Sequence, residues 1–115
     1  MIETTLLNHL ESKINCAPVF MEIPNPLPPR FFLLEKTGGN RENQICYATF
    51  ALQSYGVSLA DAAHMNLLGI NAMLSAIELD SISEVTLNSD YNFPDLTRKR
   101  RRYQAVFNIT HYEME

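Results

Sequence analysis

Residues 84–110 read EVTLNSDYNFPDLTRKRRRYQAVFNIT, and the fold follows from this stretch. At its start Val85, Leu87 and Ser89 alternate with Glu84, Thr86 and Asn88; at its end Tyr103, Ala105, Phe107 and Ile109 alternate with Gln104, Val106, Asn108 and Thr110. A period of two sends successive side chains to opposite faces of a strand. The pattern predicts two final strands, joined by a connection that carries Arg98, Lys99, Arg100, Arg101 and Arg102 in one run.

Moving toward the N-terminus, Ser58 and Asp61 have the spacing of a helix-capping box. The helix that follows aligns Ala63, Leu67, Ile70, Leu74 and Ile77, with Ala62, Met65, Leu68 and Met73 widening the stripe. Such width is expected of a helix packed on a sheet; a second, intersubunit contact is the other reading. Before it, Cys46, Ala48, Phe50 and Leu52 alternate with Ile45, Tyr47, Thr49 and Gln53, a strand that ends at Gly56. Gly38-Gly39-Asn40 is read as a turn, and Phe31-Phe32-Leu33-Leu34 as a strand covered on both faces.

Pro24, Pro26, Pro28 and Pro29 make a stiff connector, because proline has no amide donor for a ladder. Val19, Met21 and Ile23 alternate with Phe20 and Glu22, a short strand. Ile2, Leu6, Leu10 and Ile14 recur every fourth residue, a helix that must end before Pro18. The expected order is α-β-β-β-α-β-β in a single domain over residues 1–115. Strands grouped between helices predict an α+β fold, a mainly antiparallel sheet with two helices packed on one face.

Composition narrows the function classes. The 115 residues are 46% hydrophobic and 19% charged, enough apolar material for a core and against disorder. The net charge of −4 comes from 9 basic and 13 acidic residues. Setting the Arg98–Arg102 run aside leaves four basic against 13 acidic, or −9: an acidic chain with one basic spike. No run approaches the roughly 18–20 apolar residues of a membrane-spanning helix, and Met1-Ile2-Glu3-Thr4-Thr5 lacks the character of a secretory signal. Cys16 and Cys46 are too few for a disulfide scaffold and are expected as free thiols in a cytosolic setting.

Chemistry-bearing motifs are absent. His9, His64 and His111 lie on separate elements without zinc spacing, and no G-x-S-x-G elbow supplies a nucleophile. Gly38-Gly39 is followed by Asn40-Arg41-Glu42 rather than by G-K-[ST], so it lacks the parts of a phosphate loop. No catalytic residue, cofactor or metal is expected. The basic run has two readings: a solvated loop, or a local contact with a polyanion or an acidic partner. A general nucleic-acid surface is opposed by the −9 of the remainder.

Pro18-Val19-Phe20-Met21-Glu22-Ile23-Pro24, Pro29-Arg30-Phe31 and Glu35-Lys36-Thr37-Gly38-Gly39 resemble the front half of the small tail-terminator, or tail-completion, family of long-tailed bacteriophages and prophages. Ser89-Asp90-Tyr91-Asn92-Phe93-Pro94-Asp95 and Arg102-Tyr103-Gln104 resemble that family's closing hairpin, so the likeness runs from about Ile2 to Thr110. Its order and spacing carry the likeness, not any single motif. The sequence departs from the family at Thr97–Arg102, where one or two basic residues are usual, so no role for the run carries over.

The resemblance implies an assembly protein: a ring, hexameric in the family, that sits on the last ring of the tail tube, stops its polymerisation and presents a surface to the head. The implied partners are further copies of the chain, the tail-tube protein and a head completion or connector protein, with transient contact to packaged DNA and none to membrane. The implied place is the tail–head junction of the virion, after assembly in the host cytoplasm. Candidate subunit or tube contacts are the loops holding Pro28, Pro29 and Arg30 and holding Gly38, Gly39, Asn40 and Arg41; candidate contacts to DNA or an acidic partner are Arg98–Arg102. The alternatives are a head-side adaptor and a small nucleic-acid-binding module using the basic run.

Overall fold

The computed structural model describes residues 1–113. Helix α1 (Ile2–Lys13) leads to β1 (Val19–Phe20), β2 (Phe31–Glu42), β3 (Ile45–Gly56), α2 (Leu59–Leu74), a short 3-10 helix (Ser75–Glu78), β4 (Ile82–Asn92) and β5 (Arg101–Tyr112). The order is the one the sequence predicts. The five strands form one sheet in the order β1-β2-β3-β5-β4; β1 runs parallel to β2, and every other pair is antiparallel.

The two faces of the sheet differ because the strand period is two. On one face Phe32, Leu34, Phe50, Leu52, Phe107 and Ile109 meet Leu6 and Leu10 of α1 and Met65 and Met73 of α2 in the main core. On the other, Phe31, Leu33 and Tyr55 form a smaller cluster under Phe20, Ile23 and Leu27, so the proline connector is a lid over one end of that face. Phe31 and Tyr55 stack at 4.3 Å between ring centroids. This double cover is why residues 31–34 are apolar on both faces.

Helix α2 starts at the predicted cap. Ser58 Oγ accepts from the Asp61 amide at 3.1 Å, which pairs one orphan donor of the first turn, and an Asp61 carboxylate oxygen accepts from the Val57 amide, just before the cap, at 3.0 Å. At its other end Ser75 Oγ donates to Ala72 O at 2.6 Å and lies 2.8 Å from His9 Nε2, which joins α1 to the end of α2.

Four local expectations are corrected. Gly38, Gly39, Asn40 and Arg41 are not a loop: they lie within β2, paired in order with Thr49, Ala48, Tyr47 and Cys46. The turn falls at Asn43-Gln44, where Asn43 takes a left-handed φ of 59°; the glycines keep negative φ and follow a bulge between Lys36 and Gly38. The strand expected through Ile23 is limited to Val19–Phe20, since the prolines leave no ladder beyond it.

The α2 stripe is rotated. Leu67 and Ile77 are half exposed, while the buried set is Ala62, Met65, Asn66, Gly69, Ile70, Ala72 and Met73. The helix lies closest to the sheet at Gly69, where a Cβ would come within 2.8 Å of Leu52 Cδ2. Ser89 also leaves the face it was expected to share with Val85 and Leu87. A bulge between Leu87 and Ser89 slips the alternation by one residue, which places Ser89 opposite Val106 and Asp90 opposite Ala105.

Candidate functional site

The basic run forms the tip of the β4–β5 hairpin. Beyond the paired strands, Asp95 and Arg100 exchange two backbone hydrogen bonds at 3.0 Å and enclose the four-residue loop Leu96-Thr97-Arg98-Lys99. Lys99 closes the loop with a left-handed φ of 54°. Within the loop Asp95 Oδ1 accepts from the Arg98 amide at 3.0 Å, the aspartate-to-backbone bond that favours turns.

Asp95 is the hub of the tip although it is only 4% exposed. Its carboxylate accepts from the Tyr55 hydroxyl at 3.0 Å and from Arg98 Nη1 at 3.1 Å, and Arg102 Nη1 lies 3.7 Å away. Burial by itself would raise the carboxyl pKa; the Arg98 amide, the Tyr55 hydroxyl and the two guanidiniums outweigh it and hold it below the usual range. Tyr55 moves the other way, its phenol raised chiefly by burial.

The five cations divide into two groups. Arg98 is paired with Asp95. Arg100 Nη2 donates to the carbonyls of Pro28 at 3.1 Å and Pro29 at 2.6 Å, and its guanidinium lies 5.8 Å from the Phe31 ring centroid. Arg102 donates from Nε to Phe93 O at 2.7 Å and from Nη1 to the Tyr55 hydroxyl at 3.0 Å, and its guanidinium sits 4.4 Å from the Phe93 ring centroid. Three arginines therefore brace the tip against the sheet and the proline connector. Lys99 and Arg101 remain exposed, with no salt bridge or side-chain hydrogen bond among the described residues.

The connector holding Pro28, Pro29 and Arg30 is anchored at both ends of that contact. Its two prolines accept from Arg100, and Arg30 makes a two-point ion pair with Asp61, Nε to Oδ2 and Nη2 to Oδ1, each at 3.0 Å. Arg30 Nη1 also donates to Cys16 O at 3.2 Å, so one side chain ties the connector to α2 and to the segment after α1. The Asp61 pKa is lowered, first by the Val57 amide and then by Arg30, against the opposing effect of burial.

The structure thus brings Pro28, Pro29 and Arg100 together. It leaves Gly38–Arg41 on the far part of β2, toward the opposite end of the sheet. Tyr55, Phe93, Asp95 and Leu96 were missed by sequence reasoning. One signal was available: Leu96 is a large apolar residue inside a charged turn, and it is 82% exposed. Among the described residues no three His, Cys, Asp or Glu side chains gather as a metal site, and no helix is long and apolar enough to cross a membrane. Cys46 is buried, Cys16 is half-buried, and both are free thiols. Tyr55 and Asp95 are an acid–base pair in composition, but both are buried under the tip, and their arrangement is a brace.

Comparison with protein-family models and with curated proteins finds no match for the chain.

Proposed function

We propose that this chain is the subunit of a ring that ends a bacteriophage tail tube and offers a surface for joining the head. One observation carries the reading beyond the sequence resemblance: the sheet has two free edges of different chemistry on opposite sides. β1 covers β2 only at Phe32 and Leu33, so Glu35–Glu42 is an open edge; β4 forms the other. Beyond the ladders with β3 and β5, no backbone hydrogen bond among the described residues reaches Glu35–Glu42, and the one at β4 runs from the Ile82 amide to Leu79 O at 3.1 Å.

Unpaired edge groups are templates for another chain. Two unlike edges on one subunit suit a head-to-tail interface, which produces a ring where its rotation closes. The bulges at Lys36/Gly38 and Leu87/Ser89 limit the regular pairing to short runs, a geometry that favours one register over open-ended aggregation.

The test is native mass spectrometry with electron microscopy of the protein alone and with tail-tube protein. The expected result is a closed ring, formed alone or on the tube end. A monomer that ignores the tube end contradicts the reading, and capture by a portal complex instead of the tube supports a head-side adaptor.

A further inference from the structure

A second cluster lies at the end of the sheet where β2 turns into β3. Arg41, Cys46 and His111 are direct partners across β2, β3 and β5, so their side chains stand in one row on the helix-facing side. Side chains directly opposite in a ladder have Cβ atoms about 4.5–5.5 Å apart. The row borders a cavity of about 350 Å³ that Glu3, Lys36 and Glu113 also line. Lys36 lies back over Gly39, where an added Cβ would meet Lys36 Cε at 3.1 Å.

Three observations set Cys46 apart from a packed core thiol. It is 8% exposed, yet it is not a member of the main core; Cys16, more exposed, packs against that core. His111 is 3% exposed, and its Nδ1 has no hydrogen-bond partner: Glu113 Oε2 is 3.3 Å away but not aligned for one. Lys36 and Arg41 make no salt bridge among the described residues. A thiol in apolar surroundings is inert, whereas cations and a proton acceptor beside it favour the nucleophilic thiolate. Burial, opposed by Glu113 and reinforced by Lys36, keeps His111 below its ordinary pKa, so at pH 7 it is neutral and free to take a proton.

We infer that Cys46 is a site of covalent thiolation by a small disulfide bearing carboxylates, of the glutathione disulfide class. The Cys46 proton passes to His111, and the thiolate attacks one sulfur of the disulfide. An S–S bond to Cys46 forms as the old one breaks, and the other half leaves as a thiolate that takes up a proton. Cys46 is oxidised, the disulfide is reduced, and no further reactant enters. Lys36 and Arg41 pair with carboxylates of the incoming half. Of the two acids at the cavity, Glu113 sits beside His111, which leaves Glu3 against two cations. The inference stands apart from the ring reading and needs no second subunit.

The experiment uses Cys16→Ser and Cys46→Ser, each with a single thiol, and two chromogenic disulfides at pH 7: dithiobis(nitrobenzoate), which is anionic, and dithiodipyridine, which is neutral. With the anionic probe Cys46 is expected to react at least tenfold faster than Cys16, although Cys16 is the more exposed, and the two should react alike in urea. Adding Lys36→Gln/Arg41→Gln to Cys16→Ser should slow the anionic probe at least tenfold and the neutral probe less than twofold. His111→Gln should slow both; where its thermal melt shows that it does not fold, the double charge variant, exposed at both positions, decides alone. Oxidised glutathione followed by mass spectrometry should place the adduct on Cys46. Cys16 reacting as fast as Cys46, a double charge variant that keeps its rate with the anionic probe, or an adduct on Cys16 alone each overturns the inference. So does a Cys46 rate that does not rise with probe concentration, because reaction then waits on local opening of the fold.

Discussion

The Tyr55 hydroxyl donates to the Asp95 carboxylate at 3.0 Å, linking the end of β3 to the loop between β4 and β5 across 40 positions of sequence. Through this bond the chain's one basic run is tied to the rear face of its sheet. Asp95 carries charge at the centre of four donors, and Tyr55 carries the aromatic surface on which Phe31 stacks.

Removing the two partners should give different costs. Tyr55→Phe keeps the stack on Phe31 but leaves Asp95 and Arg102 each short of a partner, and is expected to cost about 1–3 kcal/mol. Asp95→Ala leaves guanidiniums without their counter-charge and should cost about 3–5 kcal/mol. Urea unfolding followed by circular dichroism checks both values; equal, small losses would refute the hub.

The basic run should split by residue. Lys99→Ser and Arg101→Ser are expected to change stability by no more than about 0.5 kcal/mol. Arg102→Ala should lower it by about 2–3 kcal/mol, through the lost charged hydrogen bonds to Phe93 O and the Tyr55 hydroxyl. Thermal melts of the single variants decide the matter, and a uniform effect across the run would contradict the division.

Much of this was legible in sequence and some was not. The alternation in Ile45–Gly56 and Arg101–Tyr112, and the Ser58–Asp61 cap, are local signals that tertiary structure had no reason to override. The role of the basic run was hidden because its partners lie far away: Tyr55 is 47 positions from Arg102, and Pro28 is 72 from Arg100. Five like charges in a row look like a field directed outward, whereas three of them are engaged, Arg98 by the nearby Asp95 carboxylate and Arg100 and Arg102 by carbonyls and the Tyr55 hydroxyl. The glycines misled for a related reason. Gly38-Gly39 reads as a turn, yet in the fold the pair serves an extended, bulged edge while Asn43 makes the reversal.

Gly56 offers a test of how tightly α2 is seated. A Cβ there would lie 2.5 Å from the Ala62 amide nitrogen, a backbone atom that cannot move alone. Gly56→Ala would gain about 1 kcal/mol at most from reduced chain freedom, but displacing the first turn of α2 should cost about 1–3 kcal/mol or more. A lowered melting temperature is expected, and an unchanged one would mean that the helix end shifts freely.

The pH dependence follows from the buried groups. Asp95 and Asp61 have pKa values lowered from about 3.8, so their contribution is complete above that value and is lost as pH falls below it. Tyr55 is raised above 10.0, so its contribution holds below pH 10 and fades as pH rises further. His111, lowered from 6.5 chiefly by burial, takes stability away as pH drops through and below 6.5. Melting temperatures across pH should therefore be highest between about 7 and 9, and in Tyr55→Phe the alkaline loss should be smaller.

The ring reading is tested most directly by tube length. Tail-tube protein polymerised in vitro, with this chain added during growth, is imaged by electron microscopy. The account expects growth to stop, with tubes shortened in proportion to the amount of chain added and a ring visible on one end only. Tubes that lengthen at the same rate, with bare ends at every concentration, would contradict it.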